Sequence, residues 1–164
     1  MPSTIREIIL QTLCLSLQDV TGGAPASDPY PFSFSEVVRG PLPPTSPKRL
    51  TAGLVPMKEN KTQGTSFVEC FLEVSVDFRY RAQPGEVPAT IIETVAGMIQ
   101  RRLLVDTTVN GLAVDLYDAG NVVDLDHPED LTAEGSVFFV VRYRHDLNDP
   151  RTYLGQAAPA PGAT

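Results

Sequence analysis

The sequence predicts an α+β fold, a two-layer sandwich with two principal helices packed on one face of a mainly antiparallel or mixed β-sheet. Three observations predict it. Residues 67–80, FVECFLEVSVDFRY, alternate apolar and polar side chains over roughly 45 Å of extended chain. Two segments, 4–18 and 87–104, instead repeat apolar residues at three and four positions. Alternating runs at 32–39, 112–118 and 136–144 supply strands to pair with the long one.

The first helix is expected at 4–18, where Thr4 and Glu7 have the spacing of a capping box. Ile5, Ile8, Ile9, Thr12, Leu13 and Leu17 form its apolar stripe, widened by Leu10 and Cys14. Asp19 and the Gly22–Gly23 pair end it. Residues 23–31 read as a loop and 32–39, FSFSEVVR, as a strand. An extended proline-rich arm or loop is expected over 40–56, with a short strand possible at 50–55, because proline cannot continue a sheet ladder. Residues 58–66 are polar and read as a mobile connection.

In the long strand, Val68, Cys70, Leu72, Val74, Val76, Phe78 and Tyr80 share one face. Glu69, Glu73, Ser75, Asp77 and Arg79 share the other, with Phe71 as the large apolar exception. Gln83-Pro84-Gly85 is a turn into the second helix, whose stripe is Ile91, Ile92, Val95, Met98, Ile99 and Leu103. Residues 106–110 break that helix. A strand at 112–118, a turn at 118–121 and a partner strand at 122–125 follow. In 136–144 both faces carry apolar residues, with Phe138 and Val140 opposite Val137, Phe139 and Val141, which indicates a central strand. One domain is expected over 1–154, and the Ala/Pro-rich segment 155–164 reads as a disordered tail.

The chain has 164 residues and a formal net charge of -7. An acidic chain is poorly suited to wrapping duplex nucleic acid, which is gripped by cationic side chains. Lys48–Arg49 and Arg101–Arg102 are short basic spots, not a stripe. Cys14 and Cys70 sit among apolar neighbours and read as buried free thiols, with a disulfide as the alternative. No secretory leader and no apolar run of membrane-spanning length is evident, so the expectation is a soluble product made in the cytosol with no membrane partner.

Residues with catalytic potential gather at 115–149: Asp115, Asp118, Asp124, Asp126, His127, Glu129, Asp130 and Glu134, then His145, Asp146 and Asp149. Their spacing lacks the ligand pattern and the glycine of an EF-hand, and two histidines cannot make a three-histidine zinc site. There is no G-x-S-x-G elbow, no phosphate loop and no G-x-G-x-x-G. A thiolate at Cys14 would be disfavoured in an apolar helix. The expectation is a protein that is not an enzyme, with no cofactor and no resident metal.

Three pieces in order carry a resemblance. They are the opening helix IREIILQTLCLSL, the strand FLEVSVDFRYR leading through a turn to IIETVAGMIQRRLLVDTTVNGLAVDLYDAG, and the closing strand VFFVVRYRHDLNDP. Over about residues 5–150 the chain resembles the tail terminator (tail completion, minor tail protein U-like) proteins of long-tailed bacteriophages. The resemblance implies a homo-oligomer, a hexameric ring, that caps the tail tube protein, stops its polymerisation and offers the surface that meets the head–tail connector protein. It implies a structural role in the virion, at the head-proximal end of the tail, after synthesis in the bacterial host cytoplasm. DNA would pass through the ring without specific binding. The proline-rich segment and the tail after 155 depart from the smaller members of that family.

Interface roles are expected for Arg79, Arg81, Arg101 and Arg102, because a guanidinium makes forked pairs with carboxylates. Reversing Arg101 and Arg102 to glutamate is expected to leave a folded monomer that no longer forms rings. Rival readings are a head completion or neck protein of the same virion, an enzyme using a metal held by the 115–134 carboxylates, and a cellular adaptor domain.

Overall fold

The alternation of residues 67–81 becomes the central strand of the protein. The computed structural model describes residues 2–44, 48–124 and 132–154. The elements are α1 (Ile5–Gln18), β1 (Glu36–Arg39), β2 (Leu50–Gln63), β3 (Phe67–Arg81), α2 (Pro88–Leu104), β4 (Asp115–Asp124) and β5 (Thr132–Asp146). They form the expected α+β architecture: a five-stranded open sheet of order β1-β2-β3-β5-β4, with the two helices against it. The sheet is mixed, since β1 runs parallel to β2 and every other pair is antiparallel.

The register puts the apolar side chains of neighbouring strands on one face. Leu72 lies opposite Val141, Val74 opposite Phe139 and Val76 opposite Val137, and Leu54 meets Val76 from the other side. α1 buries Ile5, Ile9, Leu10, Leu13, Cys14 and Leu17 in the same core, and α2 buries Ile92, Val95, Ala96, Met98, Ile99 and Leu103. Removing this apolar surface from water is what holds the two layers together. Both cysteines are buried and free. Burial pushes both thiols above their ordinary pKa, so neither is poised as a nucleophile.

At the start of α1 the Thr4 hydroxyl accepts the Glu7 N–H at 3.3 Å. Glu7 does not complete the capping box; its carboxylate takes Arg39 of β1 at 3.2 Å and Gln11 at 3.2 Å. α2 opens with proline at its first turn, where a missing N–H costs nothing. It ends before a loop in which the Asp106 carboxylate accepts from Thr108 and Asn110. Those bonds, led by the Thr108 hydroxyl, hold the Asp106 pKa below the ordinary value. No helix among the described residues is long and apolar enough to cross a membrane.

Four expectations are corrected. The first strand is only Glu36–Arg39; Phe32 and Phe34 alternate because both turn onto the core, with the Phe32 ring 5.2 Å from Tyr80. The proline-rich arm does not extend to 56, nor is 58–66 a connection, because Leu50–Gln63 is one long strand paired with β3. Pro56 is tolerated because it sits at the bulge between Pro56 and Glu59, beyond the end of β1. Residues Gly40–Pro44 lie across the chain's own sheet: the Arg79 guanidinium donates to the Pro43 carbonyl at 2.7 Å. Finally, the strand expected at 112–118, the turn at 118–121 and its partner are a single strand, β4, with a bulge between Asp118 and Gly120. Gly120 absorbs that kink at a φ of 119°. The expected tail at 155–164 lies outside the described residues.

Candidate interaction surface

Among the described residues, the second face of the sheet carries no helix. It has three zones, set by the register of β2, β3, β5 and β4. At one end Glu69 is the centre of an ionic knot. Arg142 and Arg144 donate to its Oε1 from their Nε atoms at 2.8 and 3.0 Å. Each guanidinium also covers a ring, Arg142 at 5.8 Å from Phe71 and Arg144 at 4.7 Å from Phe67. Partial burial pushes the Glu69 pKa up, but the two arginines outweigh it and hold the carboxyl below its ordinary value.

At the opposite end lies a groove of about 350 Å³ bounded by Leu42 of the arm and by Val122 and Asp124 of β4. Arg79 pairs with Glu134 along its floor at 2.5 Å. Asp77 accepts from the hydroxyls of Ser75 and Ser136, both at 2.6 Å. The floor is therefore largely satisfied by its own residues.

Between the two ends runs an apolar band, interrupted on β3 by the exposed Glu73 carboxylate opposite Val140. Val55, Phe71, Phe138 and Val140 are half-buried, while Tyr117, Met57 and Val122 are 43, 57 and 60% exposed. Exposed apolar side chains gathered on one sheet face mark an interaction site more often than isolated exposed residues do. Phe71 and the two-sided apolar pattern of 136–144 were its sequence signals. Met57, Tyr117 and Val122 carry no such signal, because each sits beside a polar residue in a strand whose alternation a bulge interrupts.

The expected interface arginines are placed differently. Arg79 is engaged with Glu134 and the arm. Arg101 pairs with Asp28 at 3.0 Å, donates to the Asp28 carbonyl and stacks 4.2 Å from the Tyr30 ring. Arg102 donates to the Ser16 carbonyl at 2.8 Å, tying α2 to α1. The Arg81 residue is exposed, and its side chain has no partner among the described residues.

Of the possible metal ligands, Asp126, His127, Glu129 and Asp130 lie outside the described residues. Asp118 accepts from Gln100, Asp149 pairs with Arg151, and His145 is buried with Nδ1 2.7 Å from the Asp146 carbonyl. Among the described residues no three acidic, histidine or cysteine side chains converge as a metal site would require. Neither the protein-family models nor the curated proteins compared with this sequence yield a match.

Proposed function

We propose that the protein is a structural component of a phage tail, assembling as a ring that caps the tail tube, stops its growth and presents the surface for head–tail joining. The reading rests on the ordered likeness of residues 5–150 to tail terminator proteins. The one structural observation that supports it is the apolar band on a sheet face that carries no helix among the described residues and is crossed at one end by residues 40–44. A face built from Val55, Phe71, Phe138, Val140, Tyr117 and Val122 is served by another protein surface more naturally than by water. A ring requires a heterologous contact whose rotation closes.

The test has two steps. Sedimentation and native mass measurement should give a closed oligomer, and that oligomer should bind the ends of purified tail tubes. A chain that stays monomeric at high concentration and ignores tube ends refutes the reading. A ring that binds portal complexes but not tubes would instead identify a neck protein.

A further inference from the structure

Among the described residues the sheet has two unpaired edges, and they differ in charge. β1 pairs only with residues 51–54 of β2, so the distal half of β2, from Pro56 to Gln63, is an edge. Its partner register changes at the bulge, and Gly64 N–H then donates to the Phe67 carbonyl. That alternation turns the backbone groups of Glu59, Lys61 and Gln63 away from β3. Lys58 is exposed there with no partner among the described residues, Lys61 is exposed, and Arg6 of α1 lies alongside. The only carboxylate on this stretch, Glu59, is nearly buried and already serves Tyr143, Arg6 and Lys61. The other edge is β4, which carries Asp115, Asp118 and Asp124 and no cationic residue.

We propose that the distal edge of β2 in one copy pairs with β4 of the next, extending the sheet from subunit to subunit. This rests on the ring reading above. Charge selects the combination. Lysines on β2 repel the same edge of another copy, and the β4 carboxylates repel another β4. Only the cross-pairing joins opposite signs, and it is a head-to-tail contact that generates rings or filaments, never an isolated two-fold dimer.

Charge reversal tests this with the full chain. Lys58→Glu/Lys61→Glu gives a copy with two acidic edges, and Asp115→Lys/Asp118→Lys gives one whose β4 edge is basic. Each variant alone should stay unassembled, and an equal mixture should form rings of alternating copies. Because Asp118 also accepts from Gln100 at 2.9 Å, hydrogen exchange on the unaltered protein provides an independent measure. Assembly should slow the amides of Glu59, Lys61 and Gln63 at least about tenfold. Rings that form with those amides exchanging as in the monomer, or that survive both reversals, overturn edge pairing and leave the ring reading intact. A parent chain that never assembles overturns both.

Discussion

The Tyr143 hydroxyl shows how one side chain can hold a charge inside the helix-covered side of the sheet. It donates to Glu59 at 2.5 Å, and the Glu59 side chain is only 9% exposed. Arg6 at 3.9 Å and Lys61 at 3.3 Å are cations that also reach the Glu59 carboxylate. Burial first, and then the bond to Glu59, push the Tyr143 pKa far above that of a free phenol, so the hydroxyl remains a donor. Tyr143→Phe keeps the ring and removes only that donor. The expected cost is about 1–3 kcal/mol, because a nearly buried carboxylate loses a hydrogen bond. Urea denaturation should show the lower midpoint with an unchanged slope. Nothing in the spacing of residue 59 pointed to this contact, which depends on a bulge that shifts Glu59 onto the core side.

At the scale of elements, what was legible followed side-chain pattern and what was missed followed backbone pairing. α1, α2, β3 and β5 bury one stripe or face, so periodicity found them. The outer half of β2 is held by its ladder with β3, and its polar side chains carry no sign of it. β4 reads as two pieces because a bulge and a turn use the same Asp-Ala-Gly-Asn residues. The uncovered face was half legible, through Phe71, Phe138 and Val140. The arm was legible as extended chain but not as a cover for its own sheet. That cover needs Gly53: a Cβ there would lie 2.5 Å from the Gly40 carbonyl oxygen. Gly53→Ala should therefore lift residues 40–44, cost about 1–3 kcal/mol and speed limited proteolysis in the arm. A variant with parental stability and protease resistance would show that the arm does not lie there.

The ends of β3 and β5 also set an acid limit. Glu69 and Asp149 both have folded-state pKa values below the ordinary ones, Asp149 at about 2 through Arg151. A depressed carboxyl contributes stability that is present above its unfolded pKa and is lost as pH falls through the folded value. Thermal midpoints should hold from neutral pH down to about 4.5 and then fall. Glu69→Gln should lower the neutral-pH midpoint and flatten the decline below it. An identical slope in parent and variant would assign the acid sensitivity elsewhere.

For the whole molecule, stability and assembly are expected to separate by face. Arg101 and Arg102 anchor the 28–30 loop and α1 from within the chain, so reversing them should unsettle the fold before it touches any contact between copies. The apolar band behaves in the opposite way. Met57 and Val122 contribute little to the chain's own core, being 57 and 60% exposed, so Met57→Lys/Val122→Glu should change unfolding free energy by no more than about 0.5 kcal/mol per site. If another protein surface covers that band, the same pair places two charges in an apolar contact, and a charge buried without a partner is strongly unfavourable. Sedimentation should then find a monomer with the parental melting temperature. Assembly equal to the parent's would remove the band from the contact and leave the strand edges to account for it. A fall in melting temperature matching the loss of assembly would mean that the band belongs to the fold, and that this face is stabilised within a single copy.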